Sequence, residues 1–320
     1  MLQSSGRTLQ DLAYSPVPTH LIVSGFLRLS RTFEIYRHAF SHGKASDVFL
    51  PHELPMLGGE PDVEGLQALL SAFRIGTGIR SLVVSDPFKK LILKYLDDLE
   101  PRAKSIGAVN LVTKKGDRLV GDNLDGEAFV LGVQEELGYR FRKCSMAFFG
   151  CGGVSSAVAV KLAPELKRAA LIDIRIEEAD ALAEKLLRIN PKIKIELFDR
   201  SSEIDFRKYE VFYNGTGLGK DISNENAFLL TPLHAFDQFP PDGYAFDANY
   251  IPWEPAFLRR FDVMEYTILN GFSHMIAFTS LHLSMITGTM FRYSTVREWG
   301  KAALPATNEA SQPTLTSPWQ

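Results

Sequence analysis

A lysine and an aspartate, each at the end of an apolar β-type run, are the residues of this chain best suited to moving a proton. Lys89 closes Ser85-Asp86-Pro87-Phe88-Lys89, after the run SLVVS (81–85). Asp125 lies in Gly121-Asp122-Asn123-Leu124-Asp125-Gly126, where the run DRLVGDN (117–123) ends. An ion-paired, partly buried lysine can give a proton to a hydroxyl or withdraw one from it. Asn110, in Ala108-Val109-Asn110, can hydrogen-bond the same hydroxyl. Spacing alone leaves open that both charges are solvated surface groups.

A second group suits a dinucleotide. Gly150-Cys151-Gly152-Gly153 lies between the apolar run SMAFFG (145–150) and a helical pattern that takes over at Val154. Glycines there allow a tight turn and keep side chains away from a pyrophosphate, which meets the N–H groups at the helix start. A plain strand–helix turn has the same composition. The next β-type run reaches Asp173, roughly twenty residues further on, where an acid suits a ribose 2′-hydroxyl and repels a 2′-phosphate. Arg175 suits either a 2′-phosphate or a solvated face. The acid favours NAD, with NADP as the alternative. Asn214-Gly215-Thr216-Gly217 follows another apolar run, at the strand end where doubly wound sheets bind ligands, although an ordinary loop reads the same.

The elements that must position these residues alternate along the chain. Runs of β type cover 20–26, 47–54, 81–85, 107–113 and 117–123, with helical patterns at 31–40, 63–73 and 89–99, where Pro101 breaks the chain. A second series has β-type runs at 145–150, 169–174, 193–199, 209–216 and 244–250, and helices at 151–164 and 177–189. A last helical stretch spans 275–288. The alternation predicts α/β architecture with mainly parallel sheet, in two units that meet near 125–143. Residues 1–17 and 301–320 read as flexible termini.

Composition narrows the function. The 320 residues are 45% hydrophobic and 23% charged with net charge −3, an ordinary globular balance for about two domains. No like-charge block marks a nucleic-acid surface. There is no run of about 18 apolar residues, so no membrane span is expected. The N-terminus lacks a signal-peptide core, and two cysteines, Cys144 and Cys151, fit a reduced, cytoplasmic setting. His38 and His42 stand one turn apart, but His42 precedes Gly43 at a fraying helix end, and no metal is expected.

The stretch PFKKLILKYLDDLEPRAKSIGAVNLVTKKGDRLVGDNLDG (87–126) resembles the P-F-K … A-x-x-I-G-A-V-N-T … G-x-L-x-G-D-N-T-D-G run of the shikimate/quinate dehydrogenase family. The likeness continues through Gly150–Gly153, N-G-T-G-L-G (214–219), Asp247-x-x-Tyr250-x-Pro252 and N-G-F-S-H-M (270–275), the last similar to the family's D-G-x-x-M-L. It implies a discontinuous α/β substrate domain (18–125 and 275–300) with an inserted Rossmann-type NAD(P)-binding domain (126–274). It implies that Lys89 and Asp125 are the catalytic pair and that Asn110 binds ring hydroxyls. Ser30, Thr32 and Tyr250 would hold the substrate carboxylate. Ser85 would face the substrate, and Val154 and Gly271 would border the cofactor.

The departures from the family bear on substrate. The family's G-x-P-x-x-H-S-x-S-P loop is here the segment 25–33, shorter by one and without its prolines and histidine. Val83 replaces a substrate-facing Asn, and Phe278 replaces the Gln of the final helix. Losing two hydrogen-bonding side chains relaxes or reverses a choice between ring hydroxyls. Plain shikimate is therefore not the expected best substrate; the candidates are quinate, an amino- or deoxy-analogue, or another cyclohexane or cyclohexene carboxylate. Arg28, beside Ser30, suits a second carboxylate contact or the surface.

The resulting expectation is an NAD(P)-dependent dehydrogenase of a ring secondary alcohol on a small cyclic carboxylate, monomeric or homodimeric, with no nucleic-acid or membrane partner. A non-catalytic ligand sensor on the same fold is one rival, disfavoured by the joint presence of Lys89, Asn110 and Asp125. A methylene-tetrahydrofolate-type dehydrogenase is another, disfavoured by the linked P-F-K and G-D-N-L-D-G segments.

Overall fold

Alternating apolar runs of the first half pair into a mixed sheet, and those of the second into a parallel one. The computed structural model describes residues 8–25, 32–42, 47–199, 204–218 and 239–303. The first half runs α1 (Leu9–Ala13), β1 (Thr19–Ser24), α2 (Thr32–His42), β2 (Val48–Glu53), the short hairpin β3 (Met56–Leu57) and β4 (Glu60–Pro61), α3 (Val63–Ile75), β5 (Ile79–Val84), α4 (Phe88–Leu91), β6 (Asp98–Leu99), α5 (Pro101–Ile106), β7 (Leu111–Lys115), β8 (Arg118–Asp122) and α6 (Asp125–Leu137). The second runs β9 (Cys144–Phe149), α7 (Gly153–Leu162), β10 (Leu166–Ile172), α8 (Ile176–Ile189), β11 (Lys194–Phe198), β12 (Val211–Asn214), β13 (Tyr244–Asp247), α9 (Ala256–Asp262), β14 (Thr267–Leu269), α10 (Phe272–Thr287) and α11 (Tyr293–Ala303).

The first sheet has the order β2-β1-β5-β7-β8-β6. Its β1–β2, β1–β5 and β6–β8 pairs are parallel, whereas β5–β7 and β7–β8 are antiparallel, a departure confined to β7 within mainly parallel sheets. The cause is local. Only Gly116 and Asp117 join β7 to β8, with Gly116 at φ +61, and so short a turn permits a hairpin but no crossover. The second sheet has the order β11-β10-β9-β12-β13-β14, parallel throughout. That is a doubly wound order, and its direction reverses between β9 and β12, where a ligand crevice opens.

Three other expectations change. The helix read over 89–99 stops at Leu91, passes through a single 3₁₀ turn (Ile92–Tyr95) and ends as edge strand β6. Gly121 leaves room for this path, because Leu96 and Leu99 fill the space that a Cβ there would take, 2.5 and 2.8 Å from it. Pro101 starts α5 at its first position, where its missing N–H costs nothing. Residues 8–17 are packed rather than free. A Thr8–Asp11 capping box opens α1, Leu12 and Ala13 are buried, and Gly78 N–H donates to Ala13 O at 2.8 Å. Residues 301–303 end α11; residues 1–7 and 304–320 lie outside the described residues.

The α6–α10 pair joins the two halves. Phe129 and Val133 of α6 pack with Met146, Phe148 and Tyr213 of the second core, whereas Leu124, Phe272 and Ile276 pack with Ile22, Val83 and Leu111 of the first. Gly132 lets the helices touch, since a Cβ there would stand 2.8 Å from Ser273 O. Deeper in the first half, Asp47 Oδ2 meets His20 Nε2 (3.0 Å), Ser81 Oγ bridges His20 Nδ1 (2.8 Å) and His282 Nε2 (3.3 Å), and Tyr36 meets His282 Nδ1. Burial lowers His282 to about 3, so its ring is neutral, and these contacts satisfy it within the core. No helix among the described residues is long and apolar enough to cross a membrane.

Candidate active site

Backbone hydrogen bonds stitch the three motif segments of the first half together. Val109 N–H donates to Lys89 O (2.8 Å), Val84 N–H to Asn110 O (2.9 Å) and Asn110 N–H to Asp122 O (3.0 Å). Side chains complete the seam. Arg102 grips Asp122 with two bonds of 2.6 Å, and Asn123 donates to Ala108 O while its Oδ1 accepts from Asp125 N–H, both at 3.0 Å. Most of the G-D-N-L-D-G segment thus serves to fix where α6 begins. Its first residue, Asp125, is the one that faces the cleft.

Lys89 Nζ donates to Asp125 Oδ2 at 2.9 Å, and both side chains are nearly buried. Burial alone would raise the Asp125 carboxyl; the Lys89 ammonium and then the His274 ring outweigh it and hold the carboxyl well below its usual range. Burial alone would lower the Lys89 ammonium, and the carboxylates of Asp125 and Asp86 outweigh that and raise it. The pair is therefore a charged one, with a proton available on Lys89. Asn110 commits Oδ1 to Leu124 N–H at 3.0 Å, and its buried Nδ2 has no partner among the described residues. A buried amide donor bordering a cleft is a ready contact for a ligand oxygen.

These residues line one cleft of about 490 Å³ between the sheets. Gly152, Gly153 and Val154 border it from the α7 end, Thr216 and Gly217 from the β12 end, and Tyr250, Gly271 and Phe278 from the third side. Gly150 lies behind the turn at φ +85, and a Cβ on it would stand 2.8 Å from Thr216 Cγ2. A Cβ at Gly152 would meet nothing within 4 Å, and one at Gly153 would lie 3.9 Å from Lys89 Cδ. The glycine turn is thus open to the cleft and abuts the stem of the lysine. The first amides of α7 have no intrahelical acceptor, so the turn fits the pyrophosphate of a dinucleotide.

Two expected cofactor contacts are placed differently. Asn214 faces inward, giving Nδ2 to Asp247 Oδ2 (2.8 Å) while Oδ1 accepts from the Thr216 N–H (3.1 Å) and hydroxyl (2.8 Å). It shapes the turn and does not line the cleft, because both ends of its amide are already used. Asp173 accepts from the amides of Cys151 (2.8 Å) and Arg175 (3.0 Å), so it clamps the glycine turn while keeping lone pairs for a ribose. Arg175 is exposed, 3.9 Å from Asp173 and from Glu178. Ser85 borders the cleft; Ser30 and Arg28 lie outside the described residues, as does the Thr32 side chain.

Sequence reasoning missed His274, whose Nε2 stands 3.5 Å from Asp125 Oδ1, and Asn249, whose amide donates to Leu218 O at 2.8 Å beside the cleft. Both lie inside the family-like motifs, Asn249 next to Tyr250 and His274 three residues after Gly271. Among the described residues no group of three or more His, Cys, Asp or Glu is arranged to hold a metal. His38 lies against Trp299, and the His42 side chain is outside the described residues. Burial pushes the Cys144 and Cys151 thiols up to about 12, which leaves them inert at neutral pH.

The profile of the shikimate dehydrogenase substrate binding domain matches residues 24–112. The shikimate dehydrogenase (NADP(+)) of Symbiobacterium thermophilum is 30% identical over 246 residues, 76% of this chain and 79% of that protein. The chain belongs to the shikimate dehydrogenase family. Solved structures of family members share its fold. Shikimate 5-dehydrogenase from Listeria monocytogenes, in complex with shikimate and NAD, superposes with a TM-score of 0.77 at 24% identity, covering 89% of this chain and 96% of that one. Quinate dehydrogenase from Corynebacterium glutamicum, in complex with NAD, gives 0.75 at 23% identity, covering 89% and 99%.

Proposed function

We propose that this protein is an NAD(P)-dependent dehydrogenase that interconverts a ring secondary alcohol and its ketone on a shikimate- or quinate-like cyclic hydroxy acid. One observation carries the reading. A buried, charged Lys89–Asp125 pair and an unpartnered Asn110 amide border the same cleft as an open glycine turn. Residues 18–125 and 275–300 serve the substrate and 126–274 the cofactor, with α6 and α10 as the joint.

The chain's own groups have defined tasks. Lys89, held protonated by Asp125 and Asp86, donates its proton to the oxygen of a ketone being reduced; in oxidation it takes the hydroxyl proton back. Asp125 aims Nζ into the cleft, and the two groups share the titration as a pair. Asn110 Nδ2 donates to a ring hydroxyl. Tyr250 and Ser85, with Ser30 and Thr32, are assigned to the substrate's polar substituents. The amides of Gly153 and Val154 receive the dinucleotide phosphates, with Gly152, Thr216, Gly217 and Gly271 leaving room for it. The dinucleotide supplies or takes up the hydride. Asp173 disfavours a 2′-phosphate, which favours NAD, although curated relatives are described as using NADP(+).

Val83, Ile22 and Phe278 form an apolar floor on the cleft. That floor supports a preference for a ring with fewer hydroxyls on the facing edge than shikimate has, because a hydroxyl buried there loses water without a partner. A nicotinamide absorbance assay tests the whole reading by crossing NAD and NADP with shikimate, quinate and their amino- and deoxy-analogues. Turnover on one of these rings is expected. Dinucleotide binding without turnover on any ring would replace the enzyme by a sensor.

A further inference from the structure

His274 is a titratable group in the cleft that the mechanism above does not use. It occupies the first turn of α10, directly beside Asp125. The two oxygens of Asp125 are divided between two partners. Oδ2 accepts from Lys89 at 2.9 Å, and Oδ1 faces His274 Nε2 at 3.5 Å. The ring nitrogen is buried and has no other partner among the described residues. At that distance the contact is looser than a full hydrogen bond, and a small closing movement completes it.

The backbone of His274 is fixed independently of its ring. Gly132 brings α6 so close that a Cβ on it would stand 3.2 Å from His274 N. Phe129, one turn past Asp125, sets its ring edge-on to the imidazole at 6.2 Å. The imidazole therefore has little freedom to leave Asp125.

We propose that His274 is a positioning residue of the proton-transfer group: as neutral imidazole it holds the free oxygen of Asp125 and keeps the other oxygen on Lys89. Protonated, it places a second cation on the same carboxylate, draws it from Lys89 and loosens the alignment of Nζ. Among the described residues the groups that face it are few. Asp125 comes from α6, Lys89 reaches it through Asp125 from α4, and the Tyr213 phenol on β12 lies near Asp125, held neutral by burial. Asp86 acts on Lys89, and Asp247 on Tyr213.

The inference rests on the dehydrogenase reading, and its test has two arms so that the two can fail separately. In the first arm, kcat/KM for alcohol oxidation is followed against pH in wild type, His274→Gln and His274→Met. Gln keeps a neutral donor near Asp125 without a titratable charge, and Met is an unbranched apolar control. The ratio of wild type to His274→Gln is expected to be constant at alkaline pH and to fall at acid pH, levelling off after a loss of about tenfold. A ratio that does not change with pH, whatever its size, overturns the proposal and leaves His274 a structural residue. In the second arm, the ring proton of His274 is titrated by NMR in the full chain, assigned by its loss in His274→Gln, and again in Asp125→Asn. Removing the carboxylate is expected to lower the midpoint; an unmoved midpoint overturns the proposal. This arm needs no substrate, so absence of turnover in the wild type would count against the dehydrogenase reading alone.

Discussion

Asp173 Oδ2 accepts a hydrogen bond from the Cys151 amide at 2.8 Å, so the acid that follows β10 also pins the glycine turn that follows β9. The same carboxylate accepts the Arg175 amide through its other oxygen. On the proposed reading, one side chain would thus fix the cradle for the phosphates and set the charge met by the adenosine ribose. Asp173→Asn removes the charge and keeps one acceptor for the turn. Its ratio of kcat/KM with NADP to that with NAD is expected to rise by about tenfold or more, with a loss of about 1–2 kcal/mol in unfolding free energy. Steady-state kinetics with both dinucleotides and urea denaturation measure the two effects. An unchanged ratio would remove Asp173 from cofactor choice.

Lys89 and Asp125 are predicted to separate in their effects on activity and stability. Lys89→Met should reduce kcat by about 10²–10⁴ while leaving dinucleotide affinity within a few-fold. It also strands a buried carboxylate, at a cost of about 3–5 kcal/mol. Adding Asp125→Asn should restore much of that stability and none of the activity. Calorimetric cofactor binding, turnover and chemical denaturation of the three variants form one cycle. Turnover near wild type in Lys89→Met would reject the assignment.

The same pair fixes a pH window for stability. The Asp125 carboxyl is lowered in the folded protein, so its contribution is complete above its unfolded value of about 4 and is lost as pH falls through the folded value. The Lys89 ammonium is raised, so its contribution is complete below its unfolded value of about 10.4 and is lost as pH rises through the folded one. Wild type should therefore exceed the Lys89→Met/Asp125→Asn variant most between these limits, the gap closing at either end. Unfolding midpoints in urea across pH check it; a gap that stays constant below pH 4 would contradict the sign for Asp125.

What the sequence made legible follows from range. Lys89, Asn110 and Asp125 sit in segments that are close in sequence, each at a strand end, and short backbone bonds join them. The glycine turn was readable because its need for empty space shows in composition. Asn214 looked alike, but its amide is used up by Asp247, which arrives from the next strand. His274 was invisible as a site residue because its partner lies on α6, and only the return of α10 across Gly132 brings the two together. The path after Leu91 depended on room left by Gly121 of another strand, and the packing of residues 8–17 on contacts with Gly76 and Gly78, which local helical spacing does not report.

Val83 and Phe278 carry the last prediction. They come from β5 and α10, both are nearly fully buried, and both border the cleft within one apolar cluster. A ring hydroxyl pressed against them gives up water and gains no partner, which costs about 1–3 kcal/mol in a protein setting. Val83→Asn with Phe278→Gln supplies two amides at that floor. The double variant should raise kcat/KM for shikimate relative to a deoxy-analogue by about tenfold or more, most of it in discrimination between the rings rather than in turnover of either. Thermal unfolding should show a loss in the free protein, since the new amides have no partner until a ligand arrives, and shikimate should recover part of it. If the variant's ranking of the two rings equals that of wild type while it remains folded, the apolar floor does not choose the substrate, and the choice passes to residues outside it.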